Sequence, residues 1–419
     1  MRNKEVSLGL AAVLATFLIG TLIAVTPAIA QTEKILHSFN STGMGGDTPE
    51  AGLIFDSAGN LYSTTTYGST YNDGTVFELS PPASVASAWT ERARHVFGSG
   101  GHDGAGTFAG VIFDFAGNLY GVTGSGGLYG YGNVFELSPS SGGGWTEKII
   151  HNFNQDGTDG TYPFGGLVFD TAGNLYGTTT YGGANNQGVV FELTPSGSLW
   201  TETIIHSFFT GVGDGANPEG TLIIDAAGNL YGTAPDGGAF GTDFYGVVFK
   251  LSPGTGGTWT ETVIHSFGHG SDGNTPQAAL LMDSSGNLYG TTSYGGADNK
   301  GTAFELTPTG GGSYTENLLH SFGSSTIDGN DPVDSLVMDS SGNLYGTTAA
   351  AGLYGFGTAF ELSPRTGGGW TERTLHEFGS GVDGQFPVGN LIFDASGNLY
   401  GTTLGGGAYA YGTVFEIIP

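Results

Sequence analysis

Cysteine is absent from the 419-residue sequence and basic residues are scarce: ten lysines and arginines stand against 38 aspartates and glutamates, so the formal net charge is −28 at pH 7. Without cysteine, no disulfide framework can hold the fold together, and strand pairing and packing must do so. An acidic surface of this kind repels nucleic acid and anionic lipid headgroups and attracts divalent cations or basic partners. The composition therefore excludes nucleic-acid binding.

Long helical segments are also lacking. After the first thirty residues, no stretch of twelve residues without glycine or proline keeps a 3.6-residue apolar period. The 79 glycines recur with a long period instead, which indicates many tight turns between short strands. The sequence therefore predicts an all-β fold.

The first thirty residues have a different character. Arg2 and Lys4 precede an apolar run over residues 8–25, and Ala28-Ile29-Ala30 follows it. This order predicts an export signal over residues 1–30 that is cleaved; a retained membrane anchor is the alternative, because the run is about long enough to span a bilayer. Residues 31–419 would then form one secreted domain without a transmembrane segment, outside the cell or at its surface, with the periplasm as the alternative location.

A regular repeat fills the remainder of the sequence. The tetrapeptide Gly-Asn-Leu-Tyr occurs seven times at intervals of 55 to 58 residues, and a Phe-Glu-Leu-like segment, a His-x-Phe and a Trp-Thr-Glu keep the same interval. Such a period indicates one supersecondary unit in each repeat. The tetrapeptides begin at Gly59, Gly117, Gly173, Gly228, Gly286, Gly342 and Gly397, and the repeated histidines are His37, His95, His151, His206, His265, His320 and His376.

Each repeat is typical of four short antiparallel strands. In the third complete repeat, the strands are predicted over residues 166–170, 175–180, 188–194 and 200–208, and Asp170 is placed to cap the amides of the first turn. Four such strands in 40 to 60 residues form the blade of a β-propeller.

The two ends of the sequence hold complementary parts of one repeat. A lone fourth strand is predicted over residues 31–40, six full repeats over about 50–379, and three strands without a fourth over about 388–419. Pairing these parts completes a seventh blade and leaves no open sheet end, whereas an open solenoid needs capping repeats. We therefore predict a monomeric seven-bladed β-propeller of four-stranded antiparallel blades, closed by its N-terminal strand.

The repeat resembles two known kinds of repeat. Residues 218–231, Pro-Glu-Gly-Thr-Leu-Ile-Ile-Asp-Ala-Ala-Gly-Asn-Leu-Tyr, resemble the strand-turn-strand core of NHL-type propellers. The whole pattern, Leu-Ile-Phe-Asp-x-x-Gly-Asn-Leu-Tyr-Gly-Thr-Thr with Tyr-Gly-Gly and Val-Phe-Glu-Leu, resembles the bacterial tandem repeat called GloVer over residues 33–419. That family is described by its repeat and by variable C-terminal surface anchors, not by a known activity. Since the sequence ends at Pro419 without a sorting helix, the resemblance implies free secretion or another attachment.

Residues present in every repeat are expected to hold the blades together. The repeated phenylalanines and tryptophans are predicted to pack between blades, and the His-x-Phe histidines to bond neighbouring backbone from the outer strand. A metal ring of seven histidines is an alternative that the outer-strand position disfavours, because it keeps the copies far apart.

An aspartate followed by glycine lies fourteen residues before six of the seven Gly-Asn-Leu-Tyr glycines, and only the first repeat departs, with Gly45 there. Strand alternation places these segments on the same face as the Tyr-Gly-Gly loops. They form a turn, or their carboxylates form a crown that coordinates calcium, a hard cation that takes oxygen ligands. These candidate ligands are Asp103, Asp159, Asp214, Asp272, Asp328 and Asp383.

The fourth repeat carries the clearest departure from the pattern. It has three extra residues between Gly228 and Phe249, which lengthen an aromatic loop at residues 239–245, and Asp236 stands where other repeats have tyrosine. Such a loop suits contact with a sugar or peptide, although drift of a loop explains it equally well. With two histidines outside the repeated positions, the candidate binding residues are His102, Asp236, Phe240, Asp243, Phe244, Tyr245 and His269.

Catalytic signatures are missing: there is no Gly-x-Ser-x-Gly elbow and no His-Glu-x-x-His. We therefore expect a non-catalytic secreted propeller that binds a glycan, a protein or a surface component. The alternatives are a divalent-cation-dependent hydrolase or lyase with its site at the mouth of the central channel, and a purely structural extracellular protein.

Overall fold

The computed structural model describes residues 32–41, 45–84, 87–209, 211, 213–240 and 245–418. The predicted export signal lies outside these residues. Within them, the sole helix is a short 3-10 turn at Thr255–Gly257, and no helix has the length and apolarity to cross a bilayer.

The protein is a seven-bladed β-propeller of four-stranded antiparallel blades, as the sequence predicts. From inner to outer strand, blade 1 comprises Ile54–Phe55, Leu61–Thr65, Thr75–Ser80 and Thr90–Val96; blade 2 Ile112–Phe113, Leu119–Thr123, Asn133–Pro139 and Trp145–Asn152; blade 3 Val168–Phe169, Leu175–Thr179, Val189–Ser196 and Leu199–Ser207; and blade 4 Ile223–Ile224, Leu230–Ala234, Val247–Pro253 and Trp259–Ser266. Blade 5 comprises Leu281–Met282, Leu288–Thr292, Thr302–Gly310 and Ser313–Ser321; blade 6 Val337–Met338, Leu344–Thr348, Thr358–Pro364 and Trp370–Glu377; and blade 7 Ile392–Phe393, Leu399–Gly406, Thr413–Ile418 and, as its outer strand, Thr32–Ser38.

The N-terminal strand closes the ring. Thr32–Ser38 runs antiparallel to Thr413–Ile418, with Lys34 opposite Glu416 and His37 opposite Val414. The Lys34 ammonium lies 3.1 Å from the Glu416 carboxylate. The prediction of a seventh blade assembled from both ends of the chain is therefore confirmed.

Small two-stranded ribbons lie at one end of the blades. In each, the segment that follows an outer strand pairs with the start of the loop between the second and third strands of the next blade. In blade 7 the corresponding strand, Gly384–Pro387, joins the main sheet. The ribbons are Gly46–Asp47 with Tyr67–Gly68, Gly104–Ala105 with Ser125–Gly126, Gly160–Thr161 with Tyr181–Gly182, Gly215–Ala216 with Asp236–Gly237, Gly273–Asn274 with Tyr294–Gly295, and Gly329–Asn330 with Ala350–Ala351.

The hydrophobic core is divided among the seven interfaces between neighbouring blades. At the first, Tyr62 and Phe97 of blade 1 pack with Val111, Leu119 and Phe135 of blade 2. The leucine of Gly-Asn-Leu-Tyr is fully buried in every blade, and the phenylalanine of His-x-Phe is at most 1% exposed in each. These apolar side chains stabilise the ring because each interface removes them from water.

The Gly-Asn-Leu-Tyr signature is explained by the turn between the inner and second strands. In blade 3, Asp170 Oδ1 accepts hydrogen bonds from the amides of Ala172 and Asn174, at 2.8 and 2.9 Å. Gly173 adopts a φ of 88°, a conformation that glycine reaches without steric cost. The Tyr176 hydroxyl donates to Asp170 Oδ2 at 3.2 Å, so the predicted capping role of this aspartate is confirmed.

Candidate functional site

One face of the propeller carries all the ribbons and the loops between second and third strands. We call it the loop face, and its described loop residues are 67–74, 125–132, 181–188, 236–240 with 245–246, 294–301, 350–357 and 405–412. The ribbon between Gly160–Thr161 and Tyr181–Gly182 brings the Asp-Gly and Tyr-Gly-Gly segments into direct contact. The two kinds of loop therefore share a face, as strand alternation predicts.

The loop face holds most of the exposed large hydrophobic side chains. Among the described residues, eleven of the seventeen that are exposed come from these loops, and every blade contributes at least one. Nine of the eleven are aromatic. They are Tyr67, Tyr71, Leu128, Tyr129, Tyr181, Phe240, Tyr294, Leu353, Tyr354, Tyr409 and Tyr411.

The loop face carries acidic side chains and almost no basic ones. The sequence places a single lysine, Lys300, and no arginine or tryptophan in these loops or in the Asp-Gly segments beside them. Glycine is frequent between the aromatic residues, so backbone groups are accessible beside the rings. The face thus offers phenol rings, carboxylates and amides, with little positive charge.

The mouth of the central channel lies beside the loop face. All seven blades line a cavity of about 160 Å³ there. Phe108 and Phe164 meet edge to face with ring centroids 4.8 Å apart. Burial, followed by the charge of Asp236, raises the pKa of Glu219 to about 7. One side of the mouth is therefore aromatic and another is acidic.

The long loop of the fourth repeat brings some of the predicted binding residues together. The exposed ring of Phe240 lies 5.8 Å from that of His269, also exposed, and Tyr245 packs against Gly268. Asp236 belongs to the ribbon beside them. His102 is exposed in the segment between blades 1 and 2, far along the chain from this cluster. Asp243 and Phe244 lie outside the described residues.

The repeated histidines meet carboxylates. The Nε2 atom of His376 lies 2.9 Å from Asp383, and that of His265 lies 3.1 Å from Asp272. In six of the seven, the Nε2 atom lies 2.9–3.5 Å from the aspartate of the following Asp-Gly segment instead of a backbone group, which corrects the expectation. At His151 the 3.5 Å approach to Asp159 is not a hydrogen bond. The six aspartates, for which the sequence predicts either a turn or a calcium crown, each face a different histidine.

A glutamate from the next blade completes the contact. His95 Nε2 lies 3.5 Å from Glu147, and His151 Nε2 lies 3.4 Å from Glu202, where each glutamate belongs to the Trp-Thr-Glu of the adjacent outer strand. In five junctions, one ligand-type atom of each of the three residues lies within 4.8 Å of the others. We call these the complete junctions: His95–Asp103–Glu147, His151–Asp159–Glu202, His206–Asp214–Glu261, His265–Asp272–Glu316 and His376–Asp383–Glu33.

The glutamates of the complete junctions sit in an unfavourable place for a negative charge. Burial, and then the neighbouring Asp159 charge, raises the pKa of Glu202 to about 9. Burial and then the Asp383 charge raise the pKa of Glu33 to about 8, and burial and then the Asp272 charge raise that of Glu316 to about 7. The glutamate and aspartate of such a junction therefore favour the binding of a proton or another cation between them.

Sequence reasoning did not assign these glutamates a role. Trp-Thr-Glu marks the period, but periodicity does not say which repeat a side chain touches. Glu202 belongs to the repeat after the one that supplies His151, so only the lateral contact of blades brings them together.

The opposite face, which carries the turns between inner and second strands, has a cavity of about 820 Å³. Phe115 lies at this cavity and is fully exposed, while the equivalent residues of the other repeats are serine, threonine or alanine. The sequence analysis did not single out Phe115, although its departure from the repeat was the available signal.

Comparison with known proteins agrees with the repeat and the fold. The family described as the Gloeobacter/Verrucomicrobia repeat matches residues 8–244 and 224–419. No curated protein matches the chain. In fold, the chain is similar to the extracellular domain of a protein taken to be a hybrid two component system of B. thetaiotaomicron, with a TM-score of 0.53 and 12% identity over 91% of this chain and 40% of that chain.

A protein of unknown function from Dyadobacter fermentans shows 12% identity over 92% of this chain and 98% of that chain, with a TM-score of 0.40. The similarity to the B. thetaiotaomicron domain, at 12% identity, establishes the fold alone, whereas the repeat match extends over nearly the whole sequence. The chain belongs to the Gloeobacter/Verrucomicrobia repeat family.

Proposed function

We propose that the protein is an extracellular, non-catalytic binding module that recognises a glycan through its loop face. The observation that carries the proposal is the concentration of exposed aromatic side chains on that face, in every blade. Exposed apolar groups gathered on one surface are typical of interaction sites. The fold similarity to an extracellular domain and the expected export signal support the location.

A carbohydrate suits this surface better than a protein partner. Tyrosine presents an apolar ring and a polar tip, which match the C–H faces and hydroxyl groups of a sugar. Protein interfaces depend most on tryptophan, arginine and tyrosine anchors, and the loop face has neither of the first two. Its carboxylates and amides can fix the orientation of sugar hydroxyls by hydrogen bonds.

The proposal predicts that three tyrosines at one repeat position contribute to binding. Tyr67, Tyr181 and Tyr294 are 46%, 43% and 49% exposed, so their replacement leaves the core intact. The purified protein is screened on an array of neutral, acidic and amino-sugar oligosaccharides, and the best ligand is titrated by calorimetry. We expect the combined Tyr67→Ala, Tyr181→Ala and Tyr294→Ala variant to bind at least tenfold more weakly.

The matched control is Phe115→Ala, which removes an exposed aromatic ring from the opposite face. It is expected to leave the affinity unchanged. Failure of every oligosaccharide to bind, or equal affinity of the triple variant and the parent, would contradict the proposal. In the same titration, Phe240→Ala reports whether the long loop of blade 4 takes part.

A further inference from the structure

The complete junctions hold buried polar atoms that lack hydrogen bonds. In the junction of blades 2 and 3, His151 Nε2, Asp159 Oδ1 and Glu202 Oε1 are all buried without a hydrogen-bond partner among the described residues. Asp159 is only 4% exposed. Leaving a buried polar atom unsatisfied is costly, so three of them in one junction indicate a missing partner that all three can bind.

The distances fit a metal ion. An ion bound by histidine and carboxylate at about 2.0–2.2 Å places its ligand atoms roughly 3–3.5 Å apart. In the junction of blades 2 and 3, His151 Nε2 lies 3.5 Å from Asp159 Oδ2 and 3.4 Å from Glu202 Oε1. Asp159 Oδ2 also accepts hydrogen bonds from Asn154, so Oδ1 is the oxygen left free for an ion. Since one ligand atom of each residue lies within 4.8 Å of the others, an ion between them requires the side chains to close in by about 1 Å.

The donor set selects the kind of ion. Two carboxylates favour a divalent cation, and an imidazole nitrogen suits zinc or manganese, whereas calcium and magnesium take oxygen ligands. The acidic surface of the protein attracts cations in general. Because each site includes a histidine nitrogen, we expect a transition metal there instead of calcium.

We propose that each of the five complete junctions is a binding site for a divalent transition-metal ion, held by a histidine and an aspartate from one blade and a glutamate from the next. Each ion then bridges two blades, so that metal binding fastens the ring at five of its seven interfaces. The sites lie between outer strands and do not depend on the proposed glycan recognition.

The other two junctions differ and serve as internal controls. One has Gly45 in the aspartate position and, among the described residues, brings only His37 and Glu91 together. The other junction consists of His320, Asp328 and Glu372, which do not bring three ligand atoms within 4.8 Å of one another. Thr374 donates a hydrogen bond to Glu372 there. We expect no ion at either.

The test counts bound ions. The purified protein is treated with EDTA, dialysed, and titrated separately with Mn²⁺, Zn²⁺ and Ca²⁺, and native mass spectrometry gives the number of ions retained at micromolar excess. We expect about five ions and a rise in the midpoint of thermal unfolding. Retention of no ion, or a preference for Ca²⁺ over both metals, would overturn the proposal.

Matched substitutions separate these sites from casual surface binding. Glu202→Gln keeps the shape of the side chain but weakens one site, so the count should fall by one. Asp214→Asn should remove one ion at a different junction, and Glu372→Gln should remove none. If Glu372→Gln lowers the count as much as Glu202→Gln does, the ions bind elsewhere. Circular dichroism confirms that each variant remains folded.

Discussion

Phe39→Ala is expected to lower the free energy of unfolding by about 3–5 kcal/mol, the usual cost of removing a buried phenylalanine from a core. Phe39 is 1% exposed, and its ring meets that of Phe77 in blade 1 with centroids 5.2 Å apart. The large cost arises because the N-terminal strand is an integral part of blade 7. Chemical unfolding of the parent and the variant measures the effect.

Phe153→Ala is the matched control. Phe153 occupies the same repeat position in blade 2, is fully buried, and meets Phe191 at the same 5.2 Å. The two variants should lose similar stability. A loss of less than about 1 kcal/mol for Phe39→Ala, beside a full loss for Phe153→Ala, would show that the first strand is only loosely attached.

Asp334→Asn is expected to remove one distinct part of the pH dependence of the protein's stability. Asp334 occupies a position that is alanine or glycine in the other repeats, and it is 6% exposed. Burial raises its pKa from 3.8 to about 7, although Thr347 donates a hydrogen bond to it. The folded state therefore holds this proton more tightly than the unfolded chain does.

The sign of the effect follows from that difference. Stability due to Asp334 is full below about pH 4 and is lost as the pH rises through about 7. The rise in its pKa from 3.8 to about 7 corresponds to about 4 kcal/mol. Asparagine has nearly the size of aspartate and keeps an oxygen that accepts the hydrogen bond of Thr347, but it carries no charge. At pH 8, Asp334→Asn should therefore unfold at a higher temperature than the parent, with roughly a third of that difference at pH 5 and little difference at pH 4.

Asp298→Asn provides the control for net charge, since Asp298 is exposed in the loop of blade 5. Its midpoint of thermal unfolding should follow that of the parent at every pH between 5 and 8. If Asp334→Asn also follows the parent throughout, the buried carboxyl does not contribute to the pH dependence.

The sequence predicts the blade well because its strongest signals are local. The turn at Asp170 uses groups within six residues of one another, and the closing strand shares the repeat pattern with every other outer strand. Inner strands are less predictable. The predicted strand over 166–170 pairs only at Val168–Phe169, because the Gly166 amide bonds Thr221 of the next blade instead.

The candidate sites depend on contacts between repeats, which periodicity does not encode. The approach of Glu202 to His151 requires the lateral packing of two outer strands. The aromatic side chains of the loop face, in contrast, can be predicted from the sequences of the loops themselves. The sequence analysis emphasised the loop of blade 4, while the structure shows exposed aromatic or leucine side chains in all seven blades.

A cross-link between the two ends of the chain tests the closed ring most directly. The absence of cysteine makes the protein suitable, and Lys34 lies opposite Glu416 in the closing strand pair. Directly opposite residues in a sheet are close enough for a disulfide. Lys34→Cys with Glu416→Cys should therefore form an intramolecular disulfide on oxidation, seen as the loss of both free thiols in the monomer. Lys148→Cys with Glu416→Cys should not form one. Lys148 holds the position equivalent to Lys34, but it lies beside Glu136 in blade 2, whereas Glu416 is in blade 7. Free thiols in the first variant after oxidation would contradict the ring.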